Sequence, residues 1–193
     1  MTISRESLMT LEAYAKVRKS MREEVIEHKK KRTVRIGNHL TLIFEDELTI
    51  RYQIHEMLHI EKIFDEDGIQ GELEAYLPLV PDGSNLKATM QIEYENELER
   101  RAALKRLIGI ESHVFLEVEG EAPVYAIADE DMERANEEKT SAVHFLRFEF
   151  TEAMKERLRS GAGLFVGCDH PAYPSPVARI ESRVAGSLAG DLA

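Results

Sequence analysis

Two short runs, Thr33-Val34-Arg35-Ile36 and His39-Leu40-Thr41-Leu42-Ile43-Phe44, flank the dipeptide Gly37-Asn38. Branched and aromatic side chains favour extended chain, and Gly-Asn suits a two-residue turn, so this stretch predicts a β-hairpin. A hairpin this early weighs against a regular βαβ series and its parallel sheet.

The segments around it alternate in period. Before it, Leu11, Ala15, Val17, Met21, Val25 and Ile26 follow helical spacing and predict a long amphipathic helix from Thr10 to about Lys31. That helix ends in His28-Lys29-Lys30-Lys31-Arg32, cations suited to the carbonyl end of a helix dipole. They read as a solvated helix end, with a phosphate or partner patch as the alternative. After the hairpin come helical segments at about 47–64 and 68–77, closed by Pro78 and Pro81. An extended Leu86–Tyr94, a helix Glu97–Leu107, and extended His113–Val118 and Val124–Ile127 follow, then a polar loop Asp129–Lys139. In the strand Ser141–Phe150, residues Ala142, His144, Leu146, Phe148 and Phe150 share one face by the period of two. A helix Glu152–Arg159, a strand Leu164–Cys168 and a weak helix Glu181–Leu192 finish the chain. Strands joined now by hairpins and now by helices predict an α+β fold: a mixed, largely antiparallel sheet layered with helices. With 193 residues and 43% apolar content, one domain over 1–193 is expected, residues 1–32 packing on it or extending from it.

Charge and cysteine count narrow the function classes. A net charge of -11 disfavours general binding to nucleic acid and to anionic membranes. The start, MTISRESLM, lacks the pattern of a secretory signal, and no run of about 18 apolar residues could span a bilayer, so a cytoplasmic protein is expected. The single Cys168 excludes an internal disulfide and any zinc site of several thiolates. Neither GxGxxG nor GxxxxGK[ST] occurs, which removes those two nucleotide-binding devices.

One stretch carries named chemistry: His55-Glu56-Met57-Leu58-His59 matches HExxH. On a helix the two histidines project from one side and can hold zinc while Glu56 activates the bound water, with Glu72 or Glu74 as a third ligand. Asp65 stands where the longer HExxHxxGxxD form has its last ligand, but Lys62 replaces the glycine that turns the chain back. A helical wheel gathers Ile50, Ile54, Met57, Leu58, Ile60 and Phe64 on a core face and puts His55 and His59 opposite, beside Arg51 and Lys62. That predicts a surface helix whose cations repel a divalent ion, with the zinc-dependent hydrolase kept as the alternative.

The same wheel puts Gln53 and Glu61 within the apolar arc and Glu56 at its boundary. A carboxylate there needs a partner, or else it lines a binding site. His144 shares the apolar face of its strand, as a satisfied core histidine or as a ligand. Cys168, Asp169 and His170 offer a Cys-His pair, but residues two apart on one strand diverge, so a buried structural thiol is expected. Gln53, Glu56, Glu61, His144, Asp169 and His170 are therefore the candidate lining of an interior polar cluster for a small ligand, a metal or a redox partner. A divalent ion held there would be one suited to oxygen and nitrogen, such as iron, manganese or zinc.

Tyr52-Gln53-Ile54 with Glu56-Met57-Leu58 and Glu61, Pro81-Asp82-Gly83, the run Lys139 to Phe148, and Asp169-His170-Pro171-Ala172-Tyr173 together resemble the bacterial family known as domain of unknown function 3501. The resemblance covers nearly the whole chain. It implies no activity, but it implies that Gln53, Glu56, Met57 and Glu61 match the family pattern whereas His55 and His59 depart from it. It also implies a link to iron or peroxide metabolism and so an iron or redox protein partner. The reading is an accessory or binding protein; a homo-oligomer is compatible with it.

Overall fold

The computed structural model describes residues 3–128 and 139–193. The polar loop expected at Asp129–Lys139 lies outside the described residues, Lys139 excepted. In chain order the elements are α1 (Leu11–Lys29), β1 (Thr33–Ile36), β2 (Leu40–Glu45), α2 (Glu47–Glu61), α3 (Glu66–Tyr76), β3 (Asn85–Ile92) and α4 (Glu97–Arg106). There follow β4 (Val114–Val118), β5 (Val124–Tyr125), β6 (Val143–Glu149), α5 (Glu152–Arg159), β7 (Leu164–Cys168), β8 (Ser175–Arg179) and α6 (Ser182–Ala189).

The chain is α+β, and its strands are antiparallel throughout, divided between two four-stranded sheets ordered β1-β2-β3-β6 and β5-β4-β7-β8. Leu40, Leu42 and Phe44 of β2 point to the same side as Leu86, Ala88, Met90 and Ile92 of β3 and Leu146 and Phe148 of β6. They meet Val114, Leu116 and Val118 of β4 and Leu164 and Val166 of β7 in one core, closed by Met154, Leu158, Val184 and Leu188 from α5 and α6. Backbone hydrogen bonds of 2.8 Å in both directions between Ile127 and Arg147 stitch the two sheets along one edge. A second, smaller core lies in the helical layer, where Ile50, Ile54 and Leu58 of α2 pack with Ile69 and Leu73 of α3 and with Ile3 and Leu8 before α1.

The expected hairpin forms between β1 and β2, with Ile36 opposite Leu40. Gly37 takes φ = 60°, and a Cβ there would stand 2.6 Å from the Tyr173 hydroxyl, so both backbone and space demand glycine. Tyr173 Oη donates to the Ile36 carbonyl at 2.7 Å and accepts from the His39 N–H at 2.9 Å. The Asp169–Tyr173 segment, which follows β7, thus clamps the hairpin of the other sheet.

Several boundaries differ from expectation for identifiable reasons. α2 stops at Glu61 because Lys62 adopts the left-handed conformation, φ 57°. The turn a glycine would have made is made by lysine. β8 carries Pro176 and is exposed along most of its length, so neither propensity nor alternation marks it as a strand. Ile60 and Phe64, placed by the wheel on the core face, are 61% and 78% exposed; in the last turn of α2 it is Leu58 that enters the second core, and Phe64 lies beyond the left-handed turn at Lys62.

The largest correction concerns Arg32. The sequence groups it with solvated cations, yet it is 1% exposed. Its guanidinium donates to the carbonyls of Phe44 (2.9 Å) and Glu45 (3.1 Å), pairs with Asp46 at 3.3 Å, and bonds the carboxylate of Asp191. His28 reaches the same Asp46 oxygen at 2.5 Å. Only Lys30 and Lys31 of the cluster are exposed. No helix among the described residues is long and apolar enough to cross a membrane.

Candidate functional site

α2 begins at Asp46, whose carboxylate accepts from the Thr49 N–H while the Thr49 hydroxyl accepts from the Asp46 N–H, a reciprocal cap. The helix then carries His55, Glu56 and His59 toward α1 rather than toward solvent. His55 is 1% exposed, contrary to the wheel, because α1 covers that side. The ring of Tyr14, fully buried, stacks on His55 with centroids 4.9 Å apart and meets His59 edge-on at 5.8 Å. Both nitrogens of His55 are occupied: Nδ1–H donates to the Arg51 carbonyl at 2.8 Å and Nε2 accepts from the Met9 N–H at 3.0 Å.

Glu56 is equally committed. Arg18 grips it in a two-pronged pair at 2.7 and 2.8 Å, and Tyr14 Oη donates to it at 2.5 Å. The Arg18 hydrogen bond, helped by Tyr14 and opposed by burial, holds the Glu56 carboxyl down at about 2. A carboxylate this acidic and this fully bonded is a poor proton acceptor. HEMLH in this fold is an anchor for α1, with a tyrosine ring against both histidines and no imidazole nitrogen of His55 left for a metal. Asp65 caps α3 through the Gly68 N–H at 2.9 Å, and Glu74 accepts from Gln70 at 3.0 Å. Burial and the charge of Glu61 push Glu72 upward.

Burial of the neutral His55 ring lowers its pKa, with the Arg51 cation adding to the effect and the Arg51 carbonyl opposing it. The unfolded chain therefore takes up this proton first, and the stability His55 contributes is present above about pH 6.5 and lost as pH falls below that. In urea titrations the stability gap between the wild type and His55→Gln should be largest near pH 8 and shrink toward pH 5. A gap independent of pH contradicts the neutral, doubly bonded ring.

The six residues expected to line one interior cluster fall in three places. Gln53, Glu56 and Glu61 belong to α2, and Glu61 is exposed at its end. His144 points into the core between the sheets, opposite Met90, with Nε2 2.8 Å from the Thr140 hydroxyl and 3.0 Å from the Ser141 carbonyl. His170 is buried on the other sheet, donating to the Ile108 carbonyl at 3.1 Å and accepting from the Ala172 N–H at 3.2 Å. Asp169 is exposed and accepts from Tyr125 and His113 at 2.7 Å each; those two bonds, Tyr125 first, hold its pKa below the ordinary carboxylate range. Among the described residues no three His, Cys, Asp or Glu side chains stand close enough together to share a metal ion. Cys168 is buried at 2% exposure, and burial pushes its thiol up, as expected for a structural thiol.

A groove that no local motif announces lies on the outer face of the first sheet. Its volume is about 710 Å³, and β1, the hairpin turn, the end of β3, the start of α4 and the start of β6 contribute to it. The register lines up Arg35, Thr41, Gln91 and Val143 in one row across four strands, and Arg35, Gln91 and Val143 of that row line the groove. At one end His39 stacks on Tyr94 with centroids 3.8 Å apart and planes within 8°. His39 is fixed by its Nδ1–H bond to the Glu93 carbonyl at 2.9 Å and by the Tyr173 contact to its N–H; the Thr41 hydroxyl holds the Glu93 carboxylate at 2.6 Å. Glu95, Glu99 and Arg100 complete the wall. Among the described residues the side chains of Arg35, Arg100, Glu95 and Glu99 form neither a hydrogen bond nor an ion pair. The groove thus combines a rigid aromatic wall with charges of both signs that are free to meet a ligand.

The family described as "Protein of unknown function (DUF3501)" matches residues 2–192. A crystal structure of a novel protein of unknown function from Burkholderia pseudomallei K96243 is similar over 100% of both chains, with 73% identity and a TM-score of 0.95. No curated protein matches.

Proposed function

We propose that this chain, which belongs to the DUF3501 family, is an accessory or binding protein that takes a small ligand in the groove beside the His39–Tyr94 stack. The observation that carries the reading is the contrast between the two places where polar chemistry gathers. Around HEMLH every functional atom of His55 and Glu56 is consumed by the fold, so neither Glu56 as a base nor His55 as a ligand is free for the hydrolytic alternative. In the groove the ring stack is held from below while Arg35, Glu95, Glu99 and Arg100 stay unengaged. Groups ordered by the scaffold yet unsatisfied by it are what a preorganised binding site requires.

Amide chemical-shift mapping with a library of small polar aromatic fragments tests the reading. Shifts should concentrate on Asn38, His39, Gln91, Tyr94 and Val143 and disappear in Tyr94→Ala, which removes one half of the stack. Fragments that leave these amides unmoved, or that move them equally in the variant, refute it.

A further inference from the structure

We infer that the groove selects its ligand by a hydrogen-bond donor, an O–H or N–H delivered to Nε2 of His39, as a phenol or an azole delivers one; the inference rests on the binding reading above. Nδ1 of His39 lies 2.9 Å from the Glu93 carbonyl. A carbonyl only accepts, so Nδ1 carries the proton and the neutral ring keeps its lone pair on Nε2. That nitrogen has no hydrogen-bond partner among the described residues, whereas His55 and His170 each spend both ring nitrogens on the fold. The two nitrogens cannot trade places cheaply: a half-turn of the ring would keep the stack on Tyr94 but break the Nδ1 bond. The backbone beneath is tied as well, its N–H to the Tyr173 hydroxyl at 2.9 Å and its carbonyl to the Glu93 N–H at 2.8 Å.

His39 is therefore fixed both in position and in role. The other neutral polar side chains that line the groove are Asn38, Gln91 and Tyr94, whose amides and hydroxyl donate or accept according to how they turn. Arg35, Arg100, Glu95 and Glu99 have set roles but sit on long, rotatable stems. The group that cannot adapt sets the requirement. A ligand that faces Nε2 with a C–H or a lone pair takes away its water and returns no bond, a loss that a donor avoids. A lone pair of this kind also suits a transition metal, but among the described residues no three His, Cys, Asp or Glu side chains come together to hold one.

The probes are phenol against anisole and indole against N-methylindole; in each pair the second member carries a methyl group in place of the donor hydrogen. In NMR titrations of isotope-labelled protein, phenol and indole should bind about fivefold more tightly than their capped partners, the worth of one neutral hydrogen bond. They should also move the Nε2 resonance of His39 while Nδ1 stays protonated. In His39→Phe, which keeps an aromatic ring beside Tyr94 and removes both nitrogens, the members of each pair should bind alike. Capped probes that bind the wild type as well as the free ones, or a preference that survives in His39→Phe, overturn the donor requirement and leave the binding reading standing. So does failure of phenol and indole in a groove that binds other fragments. A neutral His39 whose proton sits on Nε2 overturns it before any ligand is added. If the probes and every fragment fail to bind, the binding reading falls and this inference with it.

Discussion

Arg32→Met is expected to remove about 3–5 kcal/mol from the free energy of unfolding, the range for breaking a buried ion pair by deleting one partner. Methionine preserves much of the volume but leaves the carbonyls of Phe44 and Glu45 without their donor and the Asp191 carboxylate without its counter-ion in a buried position. Burial already pushes the Asp191 carboxyl up against the opposing pull of Arg32, so in the variant Asp191 will take up a proton rather than stay charged. A second substitution distinguishes a lost network from lost packing. Arg32→Met/Asp191→Leu removes both charges and should recover about 1–3 kcal/mol of the single-variant loss, the size of coupling expected between contacting residues. Urea unfolding of the three proteins measures it. A loss below about 1 kcal/mol in Arg32→Met would mean that water replaces the guanidinium and that the network is no lock.

That network joins the end of α1, the cap of α2 and the C-terminal α6, and its reach explains why it was illegible. Arg32 and Asp191 are 159 residues apart in sequence, and nothing local tells a lysine that stays in water from an arginine that does not. By contrast β6 was readable residue by residue, since its burial alternates along one edge-to-core pleat with Leu146 and Phe148 inside. The same distinction runs through the candidate sites. A wheel assumes one buried face, but α2 has two neighbours, the second core on one side and α1 on another. A wheel therefore sends His55 and His59 to solvent, whereas in the fold both face Tyr14. Zinc chemistry is opposed by a different cause, occupancy of both His55 ring nitrogens in place of repulsion by surface cations. The groove is only half legible: the predicted hairpin supplies Arg35, Asn38 and His39, but nothing local brings Gln91 and Tyr94 beside them, which strand register does, with Tyr173 fixing His39 from behind.

If HEMLH is an anchor, the decisive residue is Tyr14. Tyr14→Ala should cost about 3–5 kcal/mol, as for other large buried aromatic side chains. It deletes a fully buried ring that contacts both histidines, and it leaves a space between two helices that α1 and α2 can close only by shifting Arg18 off Glu56. Tyr14→Phe keeps the ring and should cost only about 1 kcal/mol, since Glu56 retains its two bonds to Arg18. The two variants also differ in where the damage falls. α1 touches the rest of the fold chiefly through α2, so amide exchange in Tyr14→Ala should accelerate along α1 and at the Met9 N–H, while the strands of the large core keep their protection. Uniform acceleration across both cores would show instead that the helical layer and the sheets unfold as one unit. Equal losses in Tyr14→Phe and Tyr14→Ala would move the anchor from the ring to the hydroxyl, making the bond to Glu56 and not the stack on His55 the contact that holds α1 in place.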